Sequence, residues 1–320
     1  MPFRLFDRSQ LNIKPLAERT HIITINDFIG LEDEIEPFND PAILPLAKKI
    51  VAAKEKGATV LLMYGAHVIR AGCGPHMIEM MKRGEITHLA TNGAGSIHDF
   101  ELSLIGETSE SVENYIKEGQ FGLWRETGII NDIIIQGCKD NLGWGEAVGR
   151  YIWENNLPNR ERSVLAMGYK LGIPCTVHVG IGSDIIHEHP NCDGAAMGTA
   201  SYTDFLIYTQ SVTNLENGVF LNFGSAVTGP EVYLKALAMA RNVAIQSEKQ
   251  IRHFTTAVFD VQPLGEGKPC QTPEKSNPRY YFRPWKTILA RTVADGGESY
   301  YIQGEHRLTL PHLARQVWAL

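Results

Sequence analysis

The chain has 320 residues, 43% of them hydrophobic and 21% charged, a balance that suits one large globular α/β domain or two small ones. A net charge of −6 offers no basic field for a nucleic-acid backbone, and no window approaches the roughly 20 apolar residues that a membrane-spanning helix needs. The five cysteines are scattered, with no Cys-x-x-Cys pair, and the N-terminus "MPFRLFDRSQ" carries early charges and no long apolar run. We therefore expect reduced thiols, no signal peptide and a cytoplasmic location.

"HIITIND" (21–27) predicts a short strand entering a polar loop. Residues 41–57 place Ile43, Leu46, Ile50 and Val51 near one helical face and stop at Gly57. The apolar run 58–69 has the look of a strand buried on both faces. A short helix follows at 74–84, with Pro75 near its start, then a strand at 85–95 that breaks into glycines, then a helix from Ser96. Two strand–loop–helix units in tandem imply a parallel sheet. The stretch 107–160, with Trp124, Trp144 and Trp153, is less regular, and helical excursions are expected there. Alternation resumes with a helix at 162–172 and a strand at 173–182, then a helix at 201–212 and a strand at 218–226. A helix at 229–242, strands at 253–261 and 286–292, and a closing helix at 309–320 complete the pattern. Residues 262–280, rich in Pro, Gly and charge, are too long for a simple turn and predict a functional or mobile loop. The expected architecture is α/β: a single doubly wound, mostly parallel sheet, Rossmann-like, over residues 1–320.

Ligands of open α/β sheets sit beyond the carboxyl ends of the strands. Each such loop here is biased: "GAHVIRAGCG", "TNGAGSIHD", "GIGSDIIHEHPNCDGAAMG" and "GSAVTGP". Glycines let backbone N–H groups approach a phosphate, and the helix that follows favours its charge. One such loop is an ordinary tight turn; four on one edge predict nucleotide binding, although no strict Gly-x-Gly-x-x-Gly is present. "SDIIHEHPNCDG" offers Asp184, His187, His189, Cys192 and Asp193 as metal ligands, but it lacks the helical His-Glu-x-x-His spacing. Loop hydrogen bonding or polar substrate contact is the simpler reading, and no metal is expected. In "YYFRPWKTILAR" (280–291), Lys286 follows Trp285 directly and Arg283 lies three residues before it. Lys286 is either an ordinary lysine at a strand mouth or an amine placed to react.

In order, these motifs resemble the deoxyhypusine synthase family. The likeness rests on "LLMYGAHVIRAGCGPHMIEMMKRGEITHLATNGAGSIHDFELSL", "SVLAMGYKLGIPCTVHVGIGSDI" with "DGAAMGTASYTDFLIY", "GVFLNFGSAVTGPEV" and "YYFRPWKTILARTVADGGESYYIQGEHRLTLPHL". It covers roughly 58–106 and 163–313 and is weaker over 1–57 and the middle. That family oxidises an amine with NAD, captures the alkyl-imine on a lysine, passes the alkylamine group to an acceptor amine and reduces the product. The resemblance implies Lys286 as the nucleophile; the family's histidine has no counterpart here, so proton transfer would fall to His98, His187 or His189. It implies NAD held by Thr91, Asn92, Gly93, Gly95, Ser183, Gly194 and Gly224, with Asp260 for ribose hydroxyls. Trp285, Asp99, Asp193 and Arg283 would face a small amine substrate. The acceptor would be a protein lysine or, as in homospermidine formation, a small diamine, and the assembly a homotetramer.

The sequence departs from the family at four points. Trp285 and Lys286 are adjacent, where the family has one residue between them. The acidic residue before the lysine gives way to "NPRYYFRP", and of the acidic pair after the glycine turn only Asp99 remains, beside His98. Thr228-Gly229-Pro230 stands where the family has a histidine. Arg279 and Arg283 suit a substrate carboxylate. A second reading is an NAD-binding protein of the same fold that has lost transfer and serves regulation or scaffolding; only the first needs Lys286.

Overall fold

The computed structural model describes residues 3–320. In chain order the elements are β1 (Ile23–Thr24), α1 (Ile43–Glu55), β2 (Val60–Tyr64), α2 (Ala66–Arg70), α3 (Gly74–Lys82), β3 (His88–Asn92), α4 (Gly93–Ile105) and β4 (Glu107–Thr108). Next come α5 (Val112–Lys117), α6 (Ile129–Lys139), α7 (Trp144–Glu154), α8 (Val164–Leu171), β5 (Cys175–His178), α9 (Gly194–Val212) and β6 (Val219–Phe223). The chain continues through α10 (Thr228–Gln246), β7 (Thr255–Asp260), a π-helix (Pro284–Arg291), β8 (Glu298–Gln303) and α11 (His306–Trp318).

Six strands form one parallel sheet in the order β5-β3-β2-β6-β7-β8, and β1 with β4 makes a small antiparallel ribbon. Numbered as the chain visits them, the six run 3-2-1-4-5-6, the order of dinucleotide-binding sheets. The order reverses between β2 and β6, so the crevice of such a sheet falls at their carboxyl ends.

The sheet is covered on both faces, and its side chains follow the two-residue period. Val60, Leu62 and Tyr64 of β2 join a core with α1, α3, α7, α8 and α11. Leu61 and Met63 point the other way, into a core with α9, α10 and the π-helix. Phe223 stacks on Phe259 with ring centres 3.9 Å apart, and Phe220 on Tyr233 at 4.0 Å. Each buried ring contributes on the order of 1.5–3 kcal/mol, so these pairs tie β6 firmly to β7 and α10.

Four expectations change. Residues 286–292 belong to a π-helix, and the outer strand is β8 at Glu298–Gln303. Pro284 to Ala290 are all buried, and a continuous buried run of that length does not distinguish a strand from a helix. Pro284 at the first helical position needs no N–H partner, which favours the helix. The strand at 58–69 ends at Tyr64, where Gly65 opens α2. The strand expected at 21–27 shrinks to two residues, because Asp27 accepts the Thr24 N–H at 2.7 Å and closes a helical turn. The helix expected at 201 starts at Gly194, capped by Asp193.

Candidate active site

At the reversal point the two strand ends touch. Gly65 N–H donates to Phe223 O at 2.9 Å, and a Cβ on Gly65 would lie 2.5 Å from Gly224 O. Gly224 has a φ of +60, a left-handed turn that glycine adopts without strain, and its N–H donates to Phe259 O at 3.0 Å. Any side chain on Gly224 would strike His306 Nε2. His306 opens α11, is buried, and keeps Nδ1 without a partner. Burial lowers its pKa, against the pull of Asp260. Asp260 ends β7 beside it, with one carboxylate oxygen accepting Gln262 N–H at 2.9 Å. The structure thus brings Gly224 and Asp260 together and adds a histidine that the sequence reading missed. Its only signal was "GEH" after the last strand, a repeat of the strand–glycine–helix pattern.

The end of β3 is filled from within. Thr91 Oγ1 donates to Tyr64 O at 3.0 Å, and Asn92 caps α4 by accepting Gly95 N–H at 2.9 Å. The carboxylate of Asp184 packs against Gly93 at the start of α4. Burial pushes Asp184 up to about 6. A carboxylate on a helix N-terminus is favoured by the same partial charge that draws a phosphate. The turn of Gly93 and Gly95 therefore already holds an anion. Ser183, beside it, is exposed and donates to Gly180 O.

His98, on the next turn of α4, bonds Thr108 Oγ1 through Nδ1 at 2.8 Å, and burial, partly offset by Glu101, pushes it down to about 4. His187 Nδ1 accepts the N–H groups of Asp184 (3.0 Å) and Gly182 (3.2 Å), which puts its proton on Nε2, a buried atom with no partner. His189 donates through Nε2 to Gly122 O at 2.9 Å. Both rings are folded into their own loop, and burial lowers both pKa values. No group of three or more His, Cys, Asp or Glu side chains that could hold a metal ion comes together among the described residues.

Two acids expected to face substrate instead cap helices. Asp99 is buried and accepts Ser163 Oγ (2.5 Å), Val164 N–H (2.8 Å) and Leu165 N–H (3.1 Å) at the start of α8. Asp193 accepts Ala195 N–H (2.8 Å) and Ala196 N–H (3.0 Å) at the start of α9, with Gly194 exposed between. Acid residues shortly before a helix are as readily caps as ligands, and only the fold separates the two.

Lys286 lies in the first turn of the π-helix, an element frequent at functional sites. It is buried, with its ammonium 3.5 Å from the ring centre of Tyr280 and 5.8 Å from that of Tyr281. No acidic side chain forms an ion pair with it among the described residues. Trp285 corrects an expectation: its ring sits in the core, its Nε1 donates to Gln271 O at 3.0 Å, and it packs against Gly267. It clamps the 262–280 loop and leaves Tyr280 as the aromatic against the amine. Arg283 turns to Glu231 in the first turn of α10, at 3.4 Å.

No helix among the described residues is long and apolar enough to cross a membrane. No known family profile matches the chain, and no curated protein matches it. Solved structures share its fold. ArgZ, an arginine dihydrolase from the ornithine–ammonia cycle in cyanobacteria, aligns with a TM-score of 0.52 and 15% identity over 89% of this chain and 33% of its own. A LOR/SDH protein from Methanococcus maripaludis S2 aligns at 0.52 and 16% over 90% of this chain and 73% of its own. AgrE, in its ternary complex with ornithine and NAD+, aligns at 0.50 and 14% over 89% and 34%. The chain spans about a third of the length of the ArgZ and AgrE chains. A structure from Entamoeba histolytica, provisionally assigned as a deoxyhypusine synthase, stands lower, with a TM-score of 0.42 and 12% identity, and carries no argument for the family. At these identities the likeness establishes the α/β fold.

Proposed function

We propose that the chain binds NAD across the carboxyl ends of β2 and β6 and oxidises an amine there, with Lys286 capturing the alkyl-imine and passing the alkylamine group to an acceptor amine. The observation that carries this is the 3-2-1-4-5-6 sheet with two side-chain-free residues, Gly65 and Gly224, in contact where the order reverses. AgrE, which shares the fold, is known with ornithine and NAD+ bound, and this favours the cofactor. When bound, NAD supplies the hydride acceptor and later the donor. His306, held toward neutrality by burial, suits proton transfer at Nε2 beside Gly224. Lys286, buried without an acidic counter-ion, suits attack on an imine carbon: its nitrogen forms the new C–N bond, the donor's own amine leaves with the proton, and the acceptor amine later displaces the lysine.

Borohydride trapping with NAD and candidate amines, followed by peptide mapping, tests the covalent step. An adduct on Lys286 is expected; saturable NAD binding with no adduct under any amine tried would remove transfer from the account. The second reading, a nucleotide-binding protein without transfer that serves regulation or scaffolding, draws on Tyr280 lying over the Lys286 ammonium. Homotetramer assembly belongs to the same proposal, and exposed Tyr202, Leu206, Met239 and Val243 on α9 and α10 are apolar surface that an assembly would cover. Sedimentation as a monomer at micromolar concentration would contradict it.

A further inference from the structure

Beside α4 and the end of α2 lies a cavity of about 510 Å³, in the size range of small-ligand sites. Arg70, His98, Glu110 and Glu188 bound it, with Ile97 and Phe121 supplying apolar wall. Arg19 also borders it but is neutralised: it grips Glu101 at 2.7 and 2.9 Å, and Thr108 and Thr127 donate to the same carboxylate.

The remaining charges are unmatched. Arg70 ends α2, and its Nε is buried with no partner. Its charge acts on His67 and His98. Glu110 already accepts Trp124 Nε1 (2.8 Å) and Gly122 N–H (3.0 Å), and its charge acts on Glu188. Partial burial raises the pKa of both glutamates, although Glu188 stays open to solvent, and Glu110 raises that of Glu188, so a cation between them would relieve each. An isolated guanidinium calls for a carboxylate, and a pair of glutamates calls for an ammonium. A phosphate-rich ligand is disfavoured, because Arg19 and Arg70 face four carboxylates: Glu101, Glu110, Asp184 and Glu188.

We propose that this cavity binds a small amino-carboxylate, its carboxylate on Arg70 and its ammonium between Glu110 and Glu188. The site flanks α2 and α4, the helices that follow β2 and β3. The assignment narrows the amine substrate of the function proposed above, and it rests on that reading only for the later oxidation of the amine.

Three five-carbon probes that differ only in their end groups test it: 5-aminopentanoate, 1,5-diaminopentane and glutarate. Each is titrated calorimetrically into the full chain without NAD, and NAD is titrated separately. Saturable binding of 5-aminopentanoate is expected, at least about tenfold tighter than the other two, the size of one charge-assisted contact. Arg70→Met should weaken 5-aminopentanoate by at least about tenfold and leave 1,5-diaminopentane unchanged. Glu188→Gln, at an exposed position that folding tolerates, should weaken 5-aminopentanoate and leave glutarate unchanged. Equal or tighter binding of 1,5-diaminopentane, displacement of 5-aminopentanoate by ADP-ribose, or no binding at all would overturn the assignment. NAD heat without 5-aminopentanoate heat refutes this site alone; the reverse refutes the dinucleotide reading alone.

Discussion

The two halves of the sheet's carboxyl edge treat charge in opposite ways. On the β3–β5 side four aspartates are matched to helix starts: Asp184 to α4, Asp99 to α8, Asp193 to α9 and Asp204 to α7, where it accepts Gly145 N–H at 3.0 Å as well as Val177 N–H at 2.7 Å. On the β7–β8 side Lys286 is buried against an aromatic ring with no acid paired to it. A charge that satisfies a helix terminus holds the scaffold together. A buried charge left without a counter-ion destabilises the fold by itself, which marks Lys286 as a candidate for function. Removing the caps should therefore take away stability, and removing Lys286 should take away chemistry.

The largest effect is expected at Lys286. Lys286→Arg keeps the charge but presents a guanidinium that cannot deprotonate, so transfer turnover should fall by roughly 10² or more while NAD affinity stays intact. Near-normal turnover on the true substrate would make the two halves alike.

Asp99→Ala should lower stability by about 3 kcal/mol, because it strips a buried hydroxyl and two buried N–H groups of their acceptor at once. Urea denaturation checks it, and a loss below about 0.5 kcal/mol, the range of ordinary surface changes, would mean the cap is dispensable.

The pH dependence separates the buried groups by sign. Asp99 and Asp184 are pushed up to about 6 and Asp204 to about 8, all chiefly by burial. Their folded pKa values exceed the unfolded one, so their contribution is full near pH 4 and is lost as pH rises through 6 and then 8. His88 and His178 are pushed down to about 3 and His98 to about 4, again by burial, so theirs is full above about 6.5 and is lost as pH falls. Above about 6.5 Asp204 alone of these six still titrates, so the urea midpoint should decline from there to about 8. Asp204→Asn should flatten that decline; an unchanged slope would place the proton elsewhere.

Smaller effects complete the contrast. Asp193→Ala should remove about 1 kcal/mol, as an exposed cap does, without altering NAD affinity. Tyr280→Leu should quicken borohydride trapping at Lys286 a few-fold, since the cation–π contact it removes is worth about 0.5–2 kcal/mol. Slower trapping would show that Tyr280 positions the amine instead of covering it.

Strands β2, β3, β5 and β6 are legible in the sequence because each leads within two residues into a glycine that opens the next turn, whereas β8, a half-exposed edge strand, carries no long apolar run. The π-helix is not legible, because seven consecutive buried residues, Lys286 and Thr287 among them, leave no periodicity to read. The glycine turns were legible as close approaches, but not what approaches them: Asp184 reaches Gly93 from a loop about ninety residues away, and His306 reaches Gly224 from α11. Asp99 and Asp193 are legible as acids near the edge, but not the helix starts they cap, since a cap and a ligand share one composition. Arg70 passed unnoticed because one arginine ending a short helix carries no motif; only the cavity around it shows the missing counter-ion.

The central claim is that a dinucleotide lies where the strand order reverses. A crystal structure of the chain grown with millimolar NAD tests it most directly. The cofactor is expected across the carboxyl ends of β2 and β6, in contact with Gly65 and Gly224. Nucleotide bound elsewhere on the chain, or a crevice that stays empty in such crystals, would contradict it.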